Sequence, residues 1–149
     1  AQAYSGVKDR AVLIPWLRLK GHSDNYIGAM GIPRELEVIE EAGKLSLCLR
    51  PVKEMAQQLS NTVWDKTVKD IPVDEACSIT VKGQLLEQDW NTKVGKSHIK
   101  YDSANRELHI DDNVYPVRKS SDQITMIIDY NIIEVTQGAD ILLGVYQLL

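Results

Sequence analysis

Apolar and polar residues alternate along most of this chain, and a period of two is the mark of strands that bury one face. Lys44-Leu45-Ser46-Leu47-Cys48-Leu49 puts three leucines on one side of a strand and small or polar groups on the other. Ser78-Ile79-Thr80-Val81-Lys82, Lys96-Ser97-His98-Ile99-Lys100-Tyr101 and Glu107-Leu108-His109-Ile110 alternate in the same way. Gln123-Ile124-Thr125-Met126-Ile127-Ile128 and Ile132-Ile133-Glu134-Val135 are rich in β-branched residues, which fit a pleated, half-buried surface. Ile141-Leu142-Leu143-Gly144-Val145-Tyr146 reads as a last strand. Residues that tolerate turn geometry separate these runs, as in Glu41-Ala42-Gly43, Asp102-Ser103-Ala104-Asn105, Asp111-Asp112-Asn113, Asp129-Tyr130-Asn131 and Gln137-Gly138-Ala139-Asp140. Short strands at this spacing predict an all-β antiparallel sandwich or barrel. One segment dissents: Pro51 stands at a plausible first helical position, and Val52, Met55, Ala56 and Leu59 follow at helical spacing, which predicts a single short helix.

The N-terminal 30 residues read differently. Arg10-Ala11-Val12-Leu13-Ile14-Pro15-Trp16-Leu17 is an apolar strand whose proline lacks a ladder donor, so it should lie at a sheet edge or end at a bulge. The stretch after it holds Gly21, Gly28 and Gly31 and reads as a loop. Residues 1–30 are therefore expected to be the tail of a preceding domain plus a linker, and residues 31–149 the sandwich. A start at Ala1, with no initiator Met, fits a piece of something longer.

Composition narrows the function classes. With 149 residues, 44% hydrophobic and 26% charged, the chain can bury a core without a disulfide or metal. No apolar run approaches the ~18 residues of a membrane helix. A net charge of -4 argues against nucleic acid, which needs clustered Lys and Arg. Cys48 and Cys77 form no C-x-x-C pair and read as structural thiols, and no metal set or cofactor is expected.

Candidate chemistry is thin. The carboxylate pairs Glu40/Glu41, Asp111/Asp112 and Asp129/Glu134 read first as turn residues rather than as a facing acid and nucleophile. His22, His98 and His109 are isolated, and Lys93, Lys96 and Lys100 suit a solvated strand face. Sugar-binding sandwiches offer flat rings to their ligands, so Trp64, Trp90, Tyr26 and Tyr115 are candidate platforms, foremost Trp64 and Trp90. Since only 6% of residues are aromatic and none is Phe, several of these must serve the core.

The series Ile32-Pro33-Arg34-Glu35-Leu36, Gly43-Lys44-Leu45 and Arg50-Pro51-Val52-Lys53-Glu54-Met55 resembles the "L-P-R-E-L … G-x-L … R-P-V-x-E-L" of glycoside hydrolase family 32, the β-fructosidases. Upstream, Tyr4 and the run from Arg10 to Trp16 resemble that family's last propeller strand, "R-x-x-x-x-G-W", with Pro15 in place of the glycine. Downstream, Ile128-Asp129-Tyr130-Asn131-Ile132-Ile133-Glu134-Val135 resembles "V-D-x-S-x-x-E-V-F". Tyr101-Asp102, with Leu108 to Asp111, resembles "Y-D-x-x-x-x-x-L-x-x-D-R".

The resemblance implies a two-layer antiparallel β-sandwich of jelly-roll or concanavalin-like type that packs on an N-terminal five-bladed propeller of the same protein. In the family, the propeller carries the catalytic carboxylates in "W-M-N-D-P-N-G", "R-D-P" and "E-C-P". None of these strings occurs here, so no catalytic residue is carried over. The function implied is a non-catalytic module of a hydrolase of β-fructofuranosyl bonds, with sucrose or a fructan as the parent's substrate. Trp16, Arg34 and Glu35 are then expected at the propeller interface, and a homodimer is a further family arrangement. The alternatives are a stand-alone carbohydrate-binding module and an unrelated sandwich for protein contacts.

Overall fold

The computed structural model of the chain describes residues 1–18, 28–64, 70–71, 76–130, 132–138 and 141–147. The chain forms two compact units, Ala1–Gln58 and Leu59–Leu149.

In the first unit, β1 (Gln2–Ala3), β2 (Ala11–Ile14), β5 (Arg34–Glu41) and β6 (Lys44–Pro51) form an antiparallel sheet in the order β1-β2-β5-β6. Pro15 ends β2, since it has no N–H for the ladder. The chain then starts a second, small hairpin of β3 (Trp16–Arg18) and β4 (Gly28–Met30). The strand containing Pro15 is thus interrupted where expected, but β2 is no edge: β1 flanks it on one side and β5 on the other. A boundary near residue 30 would cut β2 from its hydrogen-bonded neighbour, because pairing between distant segments defines this sheet. Gly28, expected in a loop, opens β4, while residues 19–27 lie outside the described residues.

The β5–β6 hairpin turns in two residues, Ala42 at φ 50° and Gly43 at φ 75°, with Glu41 opposite Lys44. Two left-handed residues in succession match the twist of the flanking strands. Register fixes the faces. Leu36 lies opposite Leu49, Val38 opposite Leu47 and Glu40 opposite Leu45 on one side. Glu35 opposite Arg50, Glu37 opposite Cys48 and Ile39 opposite Ser46 make the other. After β6 comes α1 (Lys53–Ala56), one turn long and shorter than the spacing predicts. Pro51 belongs to β6, paired with Arg34, and Val52 offers no capping side chain, so nothing offsets the cost of helix nucleation beyond that turn.

The second unit is a sandwich, as expected. One sheet has the order β13 (Asn113–Pro116), β12 (Glu107–Ile110), β11 (Ser97–Asp102), β10 (Trp90–Val94), β8 (Asp70–Ile71). The other has the order β16 (Ile141–Gln147), β15 (Ile132–Gln137), β14 (Gln123–Asp129), β9 (Cys77–Lys82), β7 (Ser60–Val63). Their inner faces share one core, with Ile79, Val81, Ile124, Met126, Ile128, Ile133 and Val135 from one sheet and Val94, Ile99, Tyr101, Leu108 and Ile110 from the other. A 3-10 turn at Gly83–Glu87 lies between β9 and β10, with Leu86 buried. Among the described strands, two pairings are parallel rather than antiparallel, β7 with β9 and β8 with β10. Both use the segment before β9, which adds the last strand to each sheet.

At the opposite edges, β13 and β16 approach each other. Gly144 sits opposite Val135, so its missing side chain would point into the core, where the Tyr115 ring lies. A Cβ on Gly144 would stand 2.9 Å from Tyr115 Cδ1 and Cζ and closer still to Cε1.

Candidate functional site

The first unit carries a cluster of ion pairs and an exposed tryptophan. Arg10, just before β2, reaches two carboxylates: Nη1 donates to Glu35 on β5, and Nη2 donates to Glu54 on α1 at 2.6 Å. The hydrogen bond from Arg10 holds the Glu54 carboxyl down to about 2, and the two carboxylates push the Arg10 guanidinium up. This is a local clasp between helix and sheet. Glu35, expected at a propeller interface, makes that local ion pair. Arg34 is 1% exposed, and its Nη1 donates to the Leu49 carbonyl at 2.7 Å.

Trp16 is the described tryptophan with an open ring, 51% exposed. Its cross-strand partner Met30 is 63% exposed, and the Arg18 guanidinium lies 5.9 Å from the indole centroid. The indole Nε1 comes so close over Gly28 that a side chain there would collide with it, which is why a glycine sits opposite Arg18. The ring is therefore held by its own hairpin while keeping half its surface free.

The two tryptophans weighed as sugar platforms are elsewhere. Trp64 and Trp90 are each 4% exposed and belong to the core of the second unit. Their ring centroids are 5.0 Å apart, and Trp90 stacks on its cross-strand neighbour Tyr101 at 5.6 Å. With neighbours on the rings and almost no exposure, neither offers a face on which a furanose could lie. Their large apolar area stabilises the sandwich instead. Tyr115 is half-buried against the core, and Tyr26 lies outside the described residues. The sequence did contain the distinguishing signal: Trp90 alternates with Thr92 and Val94, the three buried positions of β10.

Among the described residues, Asp129 and Glu134 do not face each other as an acid and a nucleophile. Glu134 is buried on β15 while Asp129 is exposed at the end of β14, and Asp111 accepts the His98 backbone N–H in a turn. Asp89 accepts from the Ser103 N–H and hydroxyl, which pulls its carboxyl below the usual range. Lys93, Lys96 and Lys100 are exposed, consistent with a solvated face. Cys48 is buried and Cys77 half-buried, neither in a disulfide, and burial pushes Cys77 up, away from reactivity. Among the described residues, no three His, Cys, Asp or Glu side chains converge as a metal set, and no helix is long and apolar enough to cross a membrane.

The face of β5–β6 bearing Val38, Leu45 and Leu47 is the other prominent surface. These side chains are 65%, 73% and 50% exposed, although the alternation predicts a buried leucine face.

Comparison by sequence finds no matching family profile and no matching curated protein. Comparison of folds finds an exo-inulinase from Aspergillus awamori, with a TM-score of 0.57 and 17% identity. The match covers 98% of this chain and 36% of the inulinase, so the chain spans about a third of that protein. The chain therefore has the all-β fold of part of an exo-inulinase.

Proposed function

We propose that the chain is a non-catalytic module of a glycosidase acting on β-fructofuranosyl bonds, and that it stabilises a propeller domain of the same protein. The observation that carries this reading is the fold likeness: nearly all of this chain matches about a third of an exo-inulinase, so the likeness concerns one part of a larger hydrolase. The order of the Ile32–Leu36, Gly43–Leu45 and Arg50–Met55 segments adds sequence support for the same family.

In this reading the second unit is the supporting sandwich. The four-stranded sheet of the first unit is the size of one propeller blade, and the propeller remnant extends from the expected residue 30 to Gln58. Trp16 and Met30, exposed on the β3–β4 hairpin, then face the remainder of the propeller. Bond cleavage belongs to carboxylates outside this chain, by attack of one carboxylate on the fructosyl carbon and protonation of the leaving oxygen by another.

The test is a pair of assays on the pure chain and on the full-length polypeptide encoded with it. Sucrose, inulin and levan hydrolysis is expected from the longer polypeptide and not from the chain alone. Cleavage by the chain alone refutes the non-catalytic role. Calorimetric titration of inulin or levan into the chain distinguishes a stand-alone binding module: saturable heat that vanishes in Trp16→Ala favours that alternative.

A further inference from the structure

We infer that His98 and His109, on neighbouring strands of the second unit, hold a divalent transition cation between them on the outer face of their sheet. Along the sequence the two are isolated from any metal-ligand spacing, and only the ladder brings them together.

β11 and β12 pair antiparallel, with Ile99 opposite Ile110 and Lys100 opposite His109. Ile99, Tyr101, Leu108 and Ile110 fill the core, so the residues between them, His98, Lys100, Glu107 and His109, share the outer face. His98 is exposed and stands two residues from Lys100, which makes it the diagonal neighbour of half-buried His109. Diagonal neighbours on paired strands are ~7–8 Å apart, within reach of aromatic and long side chains. Two imidazoles that lean toward each other span that gap through an ion bound ~2.0–2.1 Å from each nitrogen.

The surroundings prepare His109 as a ligand. Its Nε2 is shielded from water and lies 3.4 Å from Glu107 Oε2, so the ring proton belongs there and the lone pair on Nδ1 is left for an ion. A carboxylate behind an imidazole orients metal-binding histidines and raises their basicity. Charge does not forbid the ion. Lys93 lies opposite His98, but Asp70 on β8 lies opposite Lys93, and Lys100 has Asp102 close by. Glu107 and Asp111, whose Oδ1 accepts the His98 N–H, add negative charge on the β12 side. Imidazole pairs suit Ni²⁺, Cu²⁺ and Zn²⁺, whereas Ca²⁺ and Mg²⁺ require oxygen ligands. Among the described residues no third His, Cys, Asp or Glu converges on the pair, so the ion keeps coordination positions open to water.

Calorimetric titration of Ni²⁺ into the pure chain tests the pair. Saturable binding of one ion per chain is expected, with Ca²⁺ giving no heat. His98→Gln and His109→Gln should each weaken Ni²⁺ binding by about tenfold or more, and His22→Gln should leave it unchanged. Glu107→Gln keeps both imidazoles and should weaken it less than the loss of either ligand. Absence of saturable heat overturns the inference, as does binding that survives both ligand substitutions or disappears in His22→Gln. A larger loss in Glu107→Gln than in either histidine variant also overturns it, because carboxylates would then be holding the ion. Two readouts stand apart from the affinity. Ni²⁺ should raise the thermal midpoint of the parent chain and of neither ligand variant, since an ion bound across β11 and β12 favours the folded state. In the unmodified chain, substoichiometric Ni²⁺ should broaden the ring-proton resonances of two of the three histidines together. Broadening of one alone, or of all three equally, would refute a shared site.

Discussion

Gly144→Ala tests the closure of the sandwich edge. The added methyl would lie 2.9 Å from Tyr115 Cδ1 and Cζ and nearer still to Cε1, whereas carbon atoms settle at ~3.5–4.0 Å. The ring has to retreat by about 1 Å or β16 has to lift. Neither is free, because Tyr115 is packed against the core and β16 is laddered to β15. Overpacking of this kind costs about 1–3 kcal/mol. For a unit of this size each kcal/mol lowers the midpoint by roughly 4–8 °C, so a fall of about 5–20 °C is expected by calorimetry or circular dichroism. Tyr115→Ala in the same background removes the obstacle. The alanine at 144 should then cost almost nothing, giving a coupling energy of about 1 kcal/mol or more between the two sites. A midpoint that moves by less than 2 °C in Gly144→Ala, or an equal cost with and without the Tyr115 ring, would refute the proposed contact.

The other expectations concern single groups. Tyr101 is fully buried, and its hydroxyl has no hydrogen-bond partner among the described residues. Tyr101→Phe should therefore leave stability unchanged or raise it by about 1 kcal/mol in urea unfolding, while a loss above that would reveal a partner. Ala42 at φ 50° is strained by its Cβ, and asparagine tolerates that region, so Ala42→Asn should stabilise the first unit by roughly 0.5–1 kcal/mol. A lower midpoint for that variant would count against the turn geometry. The Glu54 carboxyl is lowered from 4.5 to about 2 by Arg10, so its contribution is present above pH 4.5 and fades as pH falls toward 2. Glu54→Gln should flatten that acid limb of the stability profile, and an unchanged limb would show that the clasp is idle in solution.

Most of the sandwich was legible because its strands obey the pleat. Ile99, Tyr101, Leu108 and Ile110 alternate with polar neighbours and are all buried where the pattern puts them. The stretch of β5, Arg34-Glu35-Leu36-Glu37-Val38-Ile39-Glu40-Glu41, was harder to see, since glutamates are poor strand formers and pairing with β6 along its length, and with β2 at its start, holds them extended. The parallel strands β7 and β8 were not visible at all: four and two residues carry no periodicity, and their partners lie well along the chain. Alternation does mark Trp90 as buried with Thr92 and Val94, but the three residues Trp16–Arg18 are too short a strand for it to place Trp16. Trp16 lies opposite the exposed Met30 and stays half open, while Trp90 is enclosed with Tyr101 stacked opposite it, and both facts are cross-strand facts. The candidate site is the least legible part, because residue type alone does not set which side chains meet across a ladder.

The early position of β7 and β8 has a consequence for the nascent chain. Val63 must await Thr80, and Ile71 must await Val94, before either strand finds its ladder. At ~5–20 residues per second of translation, that leaves both unpaired for about one to five seconds. Their brevity limits how much backbone a neighbouring ribosome's product could seize in that interval, so lengthening either strand should lower soluble yield before it alters the finished protein.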